Sequence, residues 1–153
     1  MKRRNFIKTG AAVLLMGSST RPHSLSPSRI LENEREIPIV GSYDVIVCGG
    51  GPAGFAAALS SARSGARTLV LEQAGCLGGI WTSGALSWIL DHDNKPGIMQ
   101  EMWNALEARS ALGIGRDGKP TNSFDAEQMK LLLDELCLDA GINLQFYTRV
   151  VST

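Results

Sequence analysis

Cysteine, aromatic residues and net charge are all scarce in this sequence. Only three cysteines occur among 153 residues, and no two have C-x-x-C spacing, so neither a zinc site nor an iron–sulfur cluster is supported here. No apolar run approaches the roughly 20 residues that a membrane-spanning helix needs. The 44% apolar and 20% charged residues are instead typical of one globular domain.

The zero net charge conceals an uneven distribution. Residues 1–31 contain six of the fifteen basic residues and no acidic residue, whereas the remainder contains nine basic and fifteen acidic residues. The acidic remainder offers no basic stripe for phosphates, so we expect no nucleic-acid partner. The basic head favours a targeting segment.

Residues 1–20 have the order of a secretory signal. The charged segment 1–8 precedes a short apolar stretch, 10–16, and the small residues 17–20. Residues 3–8, Arg-Arg-Asn-Phe-Ile-Lys, resemble the twin-arginine export motif, which implies the twin-arginine translocase as partner and a periplasmic or otherwise exported protein. No clean A-x-A site is present, so an uncleaved anchor stays open, as does a basic amphipathic terminus of a cytosolic protein. Residues 21–42, rich in proline, serine and charge, are predicted to be a flexible linker.

The segment that follows predicts a strand–turn–helix–strand unit. The β-branched run 43–48 indicates a strand buried on both faces, and residues 55–64 indicate a helix that Gly65 ends. Residues 67–72 indicate a second buried strand. The 30-residue unit is long enough for a right-handed crossover between parallel strands, so the predicted fold class is α/β.

A G-x-G-x-x-G motif occupies the turn of this unit. Gly49 permits the sharp bend, Gly51 lets backbone approach a pyrophosphate, and Gly54 lets the helix pack closely on the sheet. Pro52 and Ala53 begin the helix, whose free N–H groups and dipole favour phosphate. We therefore predict these five residues to bind a dinucleotide.

Glu72 ends the second strand, eighteen residues after Gly54. A carboxylate there accepts hydrogen bonds from both hydroxyls of an adenosine ribose, and it would repel a 2′-phosphate. NADP is therefore disfavoured at this site.

Residues 44–66 resemble the amino-terminal fingerprint of FAD-dependent oxidoreductases of the glutathione-reductase structural type. A second glycine-rich loop, 73–84, follows Glu72 and is similar to a loop in heterodisulfide-reductase-like flavoproteins. The resemblance implies a Rossmann-like FAD-binding sheet and adds Gly78, Gly79 and Thr82 to the expected cofactor-binding residues. Backbone N–H groups at the two glycines would face phosphate, and the threonine would add a hydroxyl.

The remaining residues are predicted to be mainly scaffold. We predict a short strand over 85–90, a helix over 98–112, a loop over 113–120 and a helix over 126–140 capped by Asp125. A third strand is predicted over 142–147. The resemblance implies that backbone near Val150 touches the adenine, although a plain sheet residue is the alternative interpretation.

Residues 43–153 are thus expected to be the amino-terminal part of an FAD-binding domain, incomplete at its carboxyl end. The resemblance implies hydride transfer between a small-molecule substrate and flavin, and catalytic residues cannot be named from this sequence. Two alternatives stay open: an NAD-dependent dehydrogenase, and a non-catalytic nucleotide-binding module if the chain is complete. C-x-x-C clusters beyond Thr153 would be needed to add an iron–sulfur cluster.

Overall fold

The computed structural model of the protein describes residues 36–151. The predicted signal, 1–20, and most of the predicted linker, 21–42, lie outside these residues. Residues 36–42 are exposed and form neither helix nor strand. The chain divides into a unit of residues 1–38 and a unit of residues 39–153, and every helix and strand described here belongs to the second unit.

The second unit alternates strands and helices along the chain. A 3-10 turn, Gly79–Trp81, lies within the long connection that follows the second strand. In chain order the strands and helices are β1 (Val45–Cys48), α1 (Pro52–Arg63), β2 (Thr68–Leu71), α2 (Ile98–Ala108), β3 (Leu112–Ile114), β4 (Pro120–Phe124), α3 (Ala126–Asp139) and β5 (Asn143–Gln145).

Strands β1, β2 and β5 form a parallel sheet in that order. Val45 pairs with Thr68, and Leu69 pairs with Asn143, so the carboxyl ends of all three strands meet at one edge. Just before β1, Asp44 binds the Arg67 guanidinium and backbone N–H, which lowers the pKa of Asp44 to about 2. The sheet and its helices confirm the predicted Rossmann-like α/β class.

The helices cover one face of this sheet. Helix α1 packs on β1, β2 and α3 through buried apolar residues that include Phe55 and Leu59. Helix α3 begins where predicted, because Asp125 Oδ1 accepts the N–H groups of Glu127 and Gln128 at 2.8 and 3.1 Å. Its Cys137 is fully buried, and burial raises the pKa of that thiol to about 12.

The structure differs from the sequence prediction in four elements. The helix predicted over residues 98–112 ends at Ala108, and Leu112 begins β3. Strand β1 is not buried on both faces: Ile46 is 53% exposed and Cys48 is exposed, because among the described residues the core packs against the Val47 side of the strand. Residues 113–120, predicted as a loop, form a loop only over 115–119, because Gly113 and Ile114 belong to β3 and Pro120 begins β4 of an antiparallel hairpin. Residues 85–90 form only a bridge between Trp88 and Ser123 rather than a strand.

Helix length also bears on membrane crossing. Within residues 36–151, each helix is too short or too polar to traverse a bilayer.

Candidate functional site

The turn between β1 and α1 lies at the carboxyl edge of the sheet. Gly49 has a φ of +109°, a conformation that L residues with side chains rarely adopt, and its N–H donates to the Leu71 carbonyl at 2.8 Å. A Cβ on Gly54 would overlap the Gly49 carbonyl oxygen and lie 3.0 Å from the carbonyl carbon. The helix therefore reaches the strand as closely as the glycine pattern predicts.

The first turn of α1 presents unpaired amides. Within residues 36–151, the N–H groups of Gly51, Ala53 and Gly54 have no hydrogen-bond partner, and Pro52 at the first helical position has no N–H to satisfy. A Cβ on Gly51 would meet no atom within 4 Å. The helix end thus combines free donors, a positive dipole end and open space, which together suit an anion.

Glu72 lies beside this turn and is only 7% exposed. Its Oε2 accepts the N–H of Gly50 at 2.6 Å, and its Oε1 accepts the N–H of Ala74 at 2.7 Å. Both oxygens are therefore satisfied by backbone donors, as a buried carboxylate requires. Each oxygen also retains a lone pair for a further donor.

The second glycine loop is bonded to the first. The Gly78 N–H donates to the Gly50 carbonyl at 2.8 Å, and a Cβ on Gly79 would lie 3.0 Å from the Gly51 Cα. Both loop glycines have positive φ, +99° and +51°. Sequence reasoning placed the loops near one phosphate group, and the structure brings them into contact.

Thr82 lies beneath this second loop. It is 6% exposed, and its hydroxyl donates to the Leu77 carbonyl at 2.5 Å while the Cys76 thiol lies 3.8 Å from it. The hydroxyl proton is committed to holding the loop, so towards any other group this side chain is an acceptor.

Val150 lies in a cleft of about 300 Å³ at the ends of the three strands. The segment before Val150 is hydrogen-bonded to the residue that follows β2: the Thr148 N–H donates to the Glu72 carbonyl at 2.9 Å. The residues that line this cleft come from the ends of β1, β2 and β5 and are Cys48, Gly49, Leu71, Glu72, Gln73, Thr148, Arg149 and Val150.

Several residues of the site were missed by sequence reasoning. Cys48, Gln73, Thr148 and Arg149 line the cleft, and Gly50 bonds to both Glu72 and Gly78. The rule that ligands bind beyond the carboxyl ends of parallel strands would have indicated the four lining residues. Gly50 carries no such signal, because it occupies a variable position of the motif.

Residues 91–93, Asp-His-Asp, lie outside this cleft. The His92 ring stacks on Trp103 at a centroid distance of 3.5 Å, and its Nε2 lies 3.1 Å from Asn122 Oδ1. Throughout residues 36–151, side chains of His, Cys, Asp and Glu nowhere gather into a group able to hold a metal ion.

The parallel sheet and its glycine turn place this region in the class of Rossmann-like dinucleotide-binding folds. Residues 44–153 match the family described as FAD dependent oxidoreductase, and the chain belongs to that family. The region is accordingly an FAD-dependent oxidoreductase-type flavoprotein domain.

Three curated relatives match parts of the chain. It is 49% identical over 45 residues to dihydrolipoyl dehydrogenase of Trypanosoma brucei brucei, which covers 29% of the chain and 9% of the relative. It is 38% identical over 78 residues to 4-oxocyclohexanecarboxylate 2-dehydrogenase of Sinomonas cyclohexanicum, a match that covers 49% of the chain and 14% of the relative. Digeranylgeranylglycerophospholipid reductase of Picrophilus torridus is 34% identical over 89 residues, covering 56% and 22%. The match thus spans less than a quarter of each relative.

Two solved structures are also similar. A geranylgeranyl bacteriochlorophyll reductase-like protein from Thermoplasma acidophilum gives a TM-score of 0.48 at 23% identity, covering 72% of this chain and 31% of that one. The myxobacterial chondrochloren halogenase, an FAD-dependent halogenase variant, gives a TM-score of 0.49 at 19% identity. That match covers 71% of this chain and 29% of the halogenase.

Proposed function

We propose that the chain is the amino-terminal FAD-binding portion of an exported oxidoreductase that transfers hydride between a small-molecule substrate and flavin. The observation that carries the proposal is the junction of the two glycine loops beside Glu72, in a chain of the FAD-dependent oxidoreductase family. The flavin supplies the hydride chemistry when bound, and the protein binds and orients it.

The residues at the edge of the sheet fit the adenosine diphosphate half of FAD. The free N–H donors of Gly51, Ala53 and Gly54 would bind a diphosphate, and Gly49 and Pro52 shape the turn that carries them. Glu72 has lone pairs left for the ribose hydroxyls, and Val150 lies in the cleft where the adenine would follow. Gly78 and Gly79 would line the path from the diphosphate towards the ribityl chain, with Thr82 beneath them.

Copurification of flavin tests this proposal. We expect the protein expressed from the complete reading frame that contains this sequence to be yellow and to release FAD on denaturation. The isolated chain should bind FAD more weakly, because the outer edge of β1 and the exposed Ile46 leave apolar and backbone groups in water. A colourless protein that takes up NAD in titration would contradict the flavin assignment and favour an NAD-dependent dehydrogenase.

The export part of the proposal depends on Arg3 and Arg4. Replacing both by lysine preserves the charge but removes the twin-arginine pair, so we expect the protein to be retained in the cytoplasm of a host with a twin-arginine translocase. Cell fractionation measures this, and Arg21→Lys, the same change outside the motif, is the control. Equal export of the double variant and the control would count against this route.

A further inference from the structure

Glu72 is bonded to the backbone of both glycine loops. Its Oε2 accepts the Gly50 N–H at 2.6 Å, and its Oε1 accepts the Ala74 N–H at 2.7 Å. Both donors are N–H groups, so the arrangement uses both oxygens of the Glu72 side chain as acceptors. An amide side chain would turn one of its own N–H donors against a backbone donor.

Gly50 is hydrogen-bonded both to Glu72 and to the second glycine loop. Its carbonyl accepts the Gly78 N–H at 2.8 Å, so one residue joins the Glu72 carboxylate to the start of the 3-10 turn. A Cβ on Gly50 would lie 2.5 Å from Leu77 Cδ2 and 3.2 Å from Glu72 Oε2. Leu77 is fully buried, so it has little room to move away. The position therefore favours glycine although the motif leaves it free, because any Cβ there would require the Leu77 side chain to shift.

We propose that Glu72 is a positioning residue for the diphosphate-binding turn as well as a ligand of the ribose. The hydrogen bond from Gly50 to Glu72 holds the Gly50 backbone in place. The next peptide group carries the free N–H of Gly51, so its orientation is held as well. This inference rests on the proposed nucleotide binding and deepens it, because it assigns Glu72 an effect on ligands that have no ribose hydroxyls.

Two nucleotides that differ only in those hydroxyls separate the two roles. ADP and 2′,3′-dideoxy-ADP are titrated by calorimetry into the wild-type protein and Glu72→Gln, each freed of bound nucleotide. We expect Glu72→Gln to lower the affinity for dideoxy-ADP by about 10-fold or more, since a charge-assisted hydrogen bond contributes about 1.5–3 kcal/mol. The affinity for ADP should fall by a larger factor, because the ribose contact is lost as well. Glu107→Gln, on an exposed side chain of α2, is the matched control and should change neither affinity.

Hydrogen exchange gives a readout that does not depend on any nucleotide. The peptide that contains Gly50 should exchange at least about 10-fold faster in Glu72→Gln than in the wild type, while peptides from α3 keep their rates. If Glu72→Gln does not fold, Gly50→Ala replaces it. That variant keeps the carboxylate but crowds its contact, so it too should weaken dideoxy-ADP.

The outcomes distinguish the two claims. Unchanged dideoxy-ADP affinity in Glu72→Gln, with weakened ADP, would show that Glu72 acts through the ribose alone and would overturn the positioning role. Unchanged exchange of the Gly50 peptide would overturn it as well. A wild-type protein that binds neither nucleotide would instead contradict the proposed function, and the exchange measurement would still decide what Glu72 does to the turn.

Discussion

Replacing Gly51 by valine is expected to weaken nucleotide binding severely while the protein stays folded. A Cβ at this position meets no protein atom within 4 Å, and the φ of −67° and ψ of −178° suit any L residue. The space it would occupy is the space in front of the free amides. Loss of two amide–phosphate hydrogen bonds, at about 1.5–3 kcal/mol each, predicts at least about a 100-fold weaker ADP affinity by calorimetry.

The control for this prediction is a valine of the same size elsewhere on the helix. Ala57 lies on the exposed face of α1, away from the amides, so Ala57→Val should leave ADP affinity unchanged. Both variants should unfold within about 1 kcal/mol of the wild type, because a Cβ at Gly51 meets no atom within 4 Å and Ala57 is exposed. Retained ADP affinity in Gly51→Val would mean that the diphosphate does not bind at this turn.

Elements with strong local signals were predicted correctly from the sequence. The β1–α1–β2 unit has a β-branched run, a glycine turn and an alanine-rich helix in sequence, and each of these specifies its conformation locally. Helix α3 has both a 3.6-residue apolar period and a capping Asp125, and it forms with that cap. Agreement between short-range signals explains why these elements could be predicted.

The β3–β4 hairpin was missed because its strands carry no apolar alternation. This region was predicted to begin a loop at Gly113, yet Gly113 lies opposite Ser123, where the absence of a side chain lets the strands approach. Thr121 Oγ1 donates to the Gly113 carbonyl at 3.1 Å and lies 2.8 Å from Ser123 Oγ. Such cross-strand contacts depend on pairing, and the composition of one segment does not reveal them.

The candidate site was predictable where the motif names residues and was missed where tertiary contact selects them. The glycine pattern and Glu72 follow from the turn chemistry of a single crossover. Cys48 reaches the cleft from the end of β1, whereas Thr148 and Arg149 reach it only because β5 pairs beside β2, a topology the sequence leaves open. The same holds for Gly50, whose neighbour Gly78 is brought to it by the second loop.

Replacing Gly54 by alanine is expected to destabilise the whole β1–α1 unit, against its intrinsic helix propensity. In an exposed helix interior, alanine is favoured over glycine by about 1 kcal/mol. Here the added Cβ would overlap the Gly49 carbonyl oxygen and lie 3.3 Å from Val47 Cγ1. The nearest obstacle is backbone, which cannot rotate away, so α1 must move off the sheet, and we expect a cost of about 3 kcal/mol, at the upper end of the usual range for overpacking.

Urea unfolding followed by circular dichroism measures this effect, and Ser60→Ala on the exposed face of the same helix is the control. Ser60 Oγ donates to the Ala56 carbonyl at 2.8 Å, a bond that competes with regular helix geometry, so its removal should leave stability equal or slightly higher. The two alanine substitutions should therefore act in opposite directions. Equal stability of Gly54→Ala and Ser60→Ala would contradict the close approach of α1 to β1. The shallow groove proposed for the diphosphate depends on that approach, so it would be contradicted as well.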